Sequence, residues 1–254
     1  MSGMQAIEFY DIPSKLPNQV WSPNTWKTRY CLNYKGISYK TIWIEYPDIE
    51  STCKQLGAAP TFIRRDGTPL YTLPVIRDPN TGETVSDSHR IAEYLDANYP
   101  ETPRLFPPDS HALQAAFCYT FERHHLNHDT RFTIPKTLLI LNPPSYVFFK
   151  ETREKQYGSI AMEDFYPKGE EKKELWNKWK DEWTVVDGWL QKNPSGDFVF
   201  GETISWADFV IAGWVMWFRV LLGVDSEEWQ DFASWHGGRW ANLLAKLSQY
   251  EGVL

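Results

Sequence analysis

Three short stretches carry residue types whose spacing suits chemistry. The first is Ser22-Pro23, in WSPNTWKTRY. Serine is a favoured helix cap and proline a favoured first helical residue, so the pair can start a helix with no further role. It also aims a hydroxyl and the positive end of a helix at whatever lies in front, which favours an anion. The second is Leu73-Pro74-Val75, inside a run that otherwise reads as a strand. Proline removes a ladder hydrogen bond there. It fits an edge strand, a bulge, or a cis peptide that turns a free backbone N–H and C=O toward a ligand. The third is Asp87-Ser88, opening the helix that holds Ile91. Both residues are good caps. They also make a two-part clamp, with the helix start and Ser88 for a carboxylate and Asp87 for an ammonium, which suits an amino-acid end.

These residues need elements to hold them. Ala6 to Ile12 reads as a strand, with Ile7 and Phe9 on one face. A loop through Pro13 and Pro17 leads to the Ser22 turn. Trp26, Tyr30, Cys31 and Tyr34 then recur at helical spacing, stopped by Lys35-Gly36. Tyr39 to Tyr46 is rich in β-branched and aromatic residues and predicts a second strand. A short helical piece covers Ile49 to Leu56. Leu73 to Ile76, a turn at Asp78 to Gly82, and Glu83 to Val85 read as strand, turn, strand. A helix through Ile91, Leu95 and Tyr99 closes at Pro100. The predicted order is β-α-β-α-β-β-α.

From Asp109 onward the pattern is helical. Trp176, Trp179, Trp183, Val186 and Leu190 form one stripe at three- and four-residue steps. Ser205 to Leu222 is apolar on nearly every side and predicts a central buried helix. Its start carries a capping box, Ser205 with Asp208, and a staple, Ile204 with Phe209. Thr133 to Gly169, with Pro143-Pro144 and Pro167, shows no clear pattern. The expected division is residues 1–100, a proline-rich linker at 101–110, and a helical part at 111–254.

At 254 residues the chain can bury a real core. A net charge of −7 argues against nucleic-acid or anionic-membrane partners, which need a basic face. The longest apolar run, Phe209 to Phe218, is about half a membrane span. The N-terminus predicts no signal peptide. Three distant cysteines give no zinc spacing and suit a reducing compartment, so a cytoplasmic protein is expected. His124 and His128, in HHLNHD, are one helical turn apart, but no HExxH glutamate and no nearby cysteine joins them, so no metal site is expected. Ser159 and Ser234 sit in no nucleophile elbow.

The order of the three motifs, with the Ser205–Asp208 box, resembles the glutathione transferases. WSPNTWKTRYCLNYKG, YKTIWIEYPDIE, YTLPVI and SDSHRIAEYLDANYP are similar to the fungal-specific class A transferases, themselves akin to bacterial β-aryl etherases. The resemblance implies an α/β plus all-α protein: an N-terminal thioredoxin-like domain that binds glutathione, then an all-helical domain. It implies that Ser22, with Asn24 as second donor, stabilises the glutathione thiolate. It places the peptide along Leu73 and Pro74 and the γ-glutamyl end at Asp87 and Ser88. It implies a second site for small aromatic or phenolic ligands, which we expect where the loop Pro13 to Trp21 meets the helix holding Phe117, Tyr119, Phe121 and His124, and a homodimer. A serine at position 22 cannot form a mixed disulfide, so attack on electrophiles is expected over disulfide reduction. The alternatives are a ligandin for wood-derived polyphenols with little turnover, and glutathione-dependent ether cleavage.

Overall fold

The computed structural model describes residues 3–125 and 128–254, the side chains of 124 and 125 excepted. The first strand, β1 (Ile7–Asp11), is central and buries Ile7 and Phe9 completely. It pairs in parallel with β2 (Tyr39–Trp43), Phe9 opposite Thr41, and antiparallel with β5 (Val75–Arg77), Phe9 opposite Ile76. The strand β6 (Thr84–Ser86) completes the order β2-β1-β5-β6. A parallel pair needs a crossover, and α1 (Pro23–Tyr34) supplies it. The helices α2 (Ile49–Gln55) and α3 (Ser88–Asn98) complete the thioredoxin-like order. One feature is additional to the expected order: a hairpin of β3 (Phe62–Ile63) and β4 (Pro69–Leu70), a separate two-stranded sheet between α2 and β5. It leaves Phe62 and Ile63 exposed at 68% and 61%.

Helix α1 is pinned to the sheet by a buried ion pair. Arg29 Nη2 donates to Asp11 Oδ2 at 2.8 Å, and both side chains are sealed from solvent. The Arg29 guanidinium also lies over the Phe9 ring at 4.9 Å. Burial pushes the Asp11 carboxyl up, and Arg29 draws it back. Losing either partner would strand a charge in the core, which costs about 3–5 kcal/mol.

Beyond position 110 the chain is helical: α4 (His111–His125), α5 (Asp129–Ile140), α6 (Pro143–Gln156), α7 (Met162–Phe165), α8 (Gly169–Leu190), α9 (Trp206–Leu222) and α10 (Glu227–Leu247). Helix α10 is broken at Trp235 to Gly238, where His236, Gly237 and Gly238 adopt positive φ. The unpatterned segment from Thr133 to Gly169 thus becomes most of α5, with α6 and α7. Pro143 starts α6, whereas Pro135 sits inside α5. The α8 stripe buries Trp179, Trp183, Val186 and Leu190 as expected. Helix α9 is buried on nearly all sides, and Asp208 Oδ2 accepts from the Ser205 backbone N–H and hydroxyl, both at 2.8 Å. Burial raises that carboxyl to about 6.

Helix α9 packs directly on α1. Tyr30 and Phe209 stack at 5.6 Å, nearly parallel. Gly213 makes the approach possible: a Cβ there would lie 2.6 Å from the Pro23 carbonyl oxygen and 3.1 Å from Lys27 Cγ. The start of α1, where Ser22 sits, therefore rests against the helical half. Among the described residues, no helix is long and apolar enough to cross a membrane.

Candidate functional site

Ser22 is the residue before the first turn of α1, in extended conformation (φ −65°, ψ 130°), with Pro23 inside the turn. Its carbonyl serves the helix, accepting from Trp26 N–H at 3.0 Å and Thr25 Oγ1 at 3.2 Å. Its hydroxyl does not: it makes no capping hydrogen bond. The usual reason for serine at this position is therefore absent, and the hydroxyl borders two cavities instead. Asn24 is exposed in an otherwise buried first turn. Its Oδ1 accepts from Lys27 Nζ at 2.9 Å, which turns the amide and leaves its N–H₂ end for another partner. Lys27 is itself buried, paired with Glu122 and lying 5.3 Å over the Trp214 ring. An i, i+3 spacing of Asn24 and Lys27 was the one sequence signal for this contact.

The Leu73–Pro74 peptide is cis, one of the three alternatives for that motif. Strand pairing begins at Val75, so Leu73 lies outside the ladder. Asp87 satisfies the capping alternative. Its Oδ1 accepts from His89 N–H at 2.9 Å and Arg90 N–H at 3.1 Å. Its backbone is held at φ 79°, a conformation that costs a non-glycine residue about 1–3 kcal/mol. Oδ2 takes no part in the cap. Ser88, the first residue of α3, is buried beside it.

Three cavities join these residues into one cleft. The first, about 250 Å³, is bordered by Asn24, Leu73, Pro74, Asp87 and Ser88. The second, about 290 Å³, has Ser22, Asn24, Tyr46, Leu73 and Arg153 in its wall. The third, about 330 Å³, is bordered by Trp21, Ser22, Tyr46, Asp129, Trp214 and Trp217. Asn24 touches all three, Ser22 the second and third, and Leu73 the first and second. A larger cavity of about 470 Å³ lies away from the cleft, where Glu228 is already held by Lys136, Lys172 and Tyr166.

The structure thus brings together Ser22, Asn24, Leu73, Pro74, Asp87 and Ser88. It does not bring Phe117 and Phe121 to them. Those rings stack on each other at 6.2 Å and face α8, Phe117 against Trp189 and Phe121 against Trp183. Phe121 is buried and Phe117 half-buried on that side of α4, while Trp21, Tyr46, Trp214 and Trp217 border the cleft. The His124 side chain lies outside the described residues. His128 Nδ1 is bonded to Glu182 Oε1 at 2.6 Å, and no group of three metal-ligating side chains occurs among the described residues.

The cleft offers no protein thiol. Cys31, Cys53 and Cys118 are all buried. Burial drives Cys31 well above the ordinary thiol range, Cys53 to about 11 and Cys118 to about 12. Sequence reasoning missed Lys27, Arg153, Tyr46, Asp129 and the α9 tryptophans. Helix α9 is apolar all round, so its pattern cannot tell which rings face a cleft.

Comparison with known proteins bears on the whole chain. Residues 21–98 match the glutathione S-transferase N-terminal domain and residues 112–250 its C-terminal domain. The fold is similar to a glutathione S-transferase of Ceriporiopsis subvermispora solved in complex with glutathione, at 49% identity and TM-score 0.95, covering 98% of this chain and 99% of that one. It is also similar to the glutathione transferase GSTFuA3 of Phanerochaete chrysosporium, at 40% identity and TM-score 0.93, covering 99% and 100%. The glutathione S-transferase-like protein ustS of Aspergillus flavus is 30% identical over 97% of this chain and 91% of its own length. With both halves matched and the three motifs gathered in one cleft, the chain belongs to the glutathione S-transferase family.

Proposed function

We propose that this protein is a serine-type glutathione transferase of fungal class A, acting on aromatic electrophiles. The observation that carries the reading is the Ser22 hydroxyl: it stands at a helix start, is not spent on the cap, and borders the cleft. The residues fit glutathione. Asp87 Oδ2 is left for an ammonium, Ser88 and the α3 start for a carboxylate, and Leu73 offers backbone outside any ladder. The similar Ceriporiopsis protein was solved with that ligand.

Glutathione supplies a thiol when bound, and this chain has no accessible thiol of its own at the cleft. A free thiol has a pKa near 8.5, so little is ionised at neutral pH. Lowering it by about two units takes about 2.7 kcal/mol. A hydrogen bond to a charged group supplies about 1.5–3 kcal/mol and a helix start about 0.3–1. Ser22 can provide both, with the Asn24 amide as second donor. The rings of Trp21, Tyr46, Trp214 and Trp217 provide flat apolar walls for the second ligand.

The test is a titration of bound glutathione followed by ultraviolet thiolate absorbance, with wild type and Ser22→Ala. Wild type should ionise the thiol below its value in buffer, and the variant should not. A wild-type thiol that ionises as in buffer sinks the reading. The same aromatic walls favour a second reading, a ligandin that holds polyphenols without turnover. Tight polyphenol binding with no conjugation, in wild type as in Ser22→Ala, would select it. Ether cleavage is tested by lignin-dimer turnover with glutathione. We take the protein to be a homodimer, supported by the exposed Phe62 and Ile63 of the β3–β4 hairpin; light scattering checks this.

A further inference from the structure

Asp129 is completely buried at the start of α5 and borders the cavity that holds Ser22, Trp214 and Trp217. An aspartate there ordinarily bonds a helix amide or a nearby cation. This one does neither: among the described residues its two oxygens have no hydrogen-bond partner and no cation pairs with it. Burial raises its carboxyl well above the usual range, and the nearby Glu182 adds to that. The backbone N–H groups of Asp129 and Thr130 draw it back, without being placed to bond it. Burial with no cation beside it favours the neutral acid, which has one O–H to donate and a carbonyl oxygen to accept.

It is not alone. The indole N–H groups of Trp21, Trp214 and Trp217 are buried without partners too, and all three residues border the same cavity. Buried polar groups are nearly always bonded, so each exception asks for an explanation. Here four of them surround one space. Partners for them are missing among the described residues and can come from what fills the cavity.

We propose that this cavity selects aromatic ligands carrying a free hydroxyl group, and that Asp129 is the residue that reads it. The proposal rests on the reading that this cavity takes the second ligand. An ether oxygen can accept from an indole N–H or from the Asp129 O–H. It cannot donate, so the Asp129 carbonyl oxygen stays unpaired. A phenolic hydroxyl does both at once. Discrimination between a phenol and its methyl ether is thus assigned to Asp129, and the flat rings of the wall contribute affinity without it.

The experiment is calorimetric titration of p-phenylphenol and of its methyl ether into the full chain, without glutathione. Wild type should bind the phenol about tenfold or more tightly than the ether. Asp129→Leu, close in size but unable to bond, should bring the ratio near one by weakening the phenol alone. Asp129→Asn keeps a donor and an acceptor and should keep a preference. Equal binding by wild type overturns the proposal. So does an undiminished preference in Asp129→Leu, which would leave Asp129 with a bound water and no role in selection. If the leucine variant does not fold, the wild-type pair still decides, since equal affinities refute the idea unaided. A separate glutathione titration tells the two failures apart: wild type that ignores glutathione removes the transferase reading, while the phenol preference is still measured.

Discussion

Gly213→Ala adds one methyl group, and the structure says where it goes. The new Cβ would sit 2.6 Å from the Pro23 carbonyl oxygen and 3.1 Å from Lys27 Cγ. Carbon–oxygen contacts are ordinarily no closer than about 3.3 Å, so the gap must open by about 0.7 Å. The first of those atoms is backbone, one residue from Ser22, and cannot swing away as a side chain would. Overpacking of this kind costs about 1–3 kcal/mol, and alanine in a helix returns about 1. The net loss of about 1 kcal/mol should lower Tm by about 2–4 °C in a chain of this size. The larger effect falls on the site. A misplacement of about 1 Å can cost about a hundredfold in rate, so kcat/KM for a model aromatic electrophile should drop about ten- to a hundredfold. Gly188→Ala is the control. That glycine is helical with nothing within 4 Å of a Cβ, so its variant should gain stability and keep activity. The assays are a thermal melt and steady-state conjugation. If Gly213→Ala is as stable and active as Gly188→Ala, helix α9 does not set the position of Ser22 and the reasoning fails.

Other outcomes can be measured with single substitutions. Asp87→Asn keeps the cap and tolerates positive φ but loses the charge; its Tm should hold while retention on immobilised glutathione falls, whereas Asp87→Ala should lose both, with about 1 kcal/mol of stability from the cap. Ser22→Cys should lose conjugation and, given glutathione disulfide, exchange with it to a mixed disulfide while releasing one glutathione thiol, read by mass spectrometry; unchanged conjugation would contradict a donor role for the hydroxyl. Glu228 offers a pH test. Burial pushes its carboxyl up, but hydrogen bonds from Lys172, Tyr166 and Lys136 outweigh it and hold the group down to about 2. A carboxyl lowered from 4.5 in this way stabilises the fold above pH ~4.5 and loses that contribution as pH falls toward about 2. Glu228→Gln should therefore be less stable than wild type near neutrality, by about 1–3 kcal/mol, and the difference should shrink in acid; a gap independent of pH would show that the charge is not what matters.

Much of the cleft was legible because its residues are punctuation as well as chemistry. Ser22-Pro23, Leu73-Pro74 and Asp87-Ser88 each break or start an element, so local rules place them without tertiary knowledge. The Ser205–Asp208 box was readable for the same reason. What stayed hidden depends on faces and on distance. The β3–β4 hairpin has two residues per strand, too few for any period to show. Pro135 lies within α5, against the rule that proline ends helices, which blurred that segment. Phe117 and Phe121 were assigned to a ligand because core and pocket ask for the same side chains; only the packing against Trp183 and Trp189 separates the two. Asp129 gave no signal at all, since a missing partner is a fact of three dimensions.

The three sealed cysteines have a consequence of their own. A catalyst that gathers reactive carbon compounds beside a nucleophile risks becoming their target. Here every native sulfhydryl is enclosed and reluctant to ionise. If the protein conjugates electrophiles as proposed, the thiol they meet in the cleft is the borrowed one, which departs with the product and leaves the chain's own thiols unmodified.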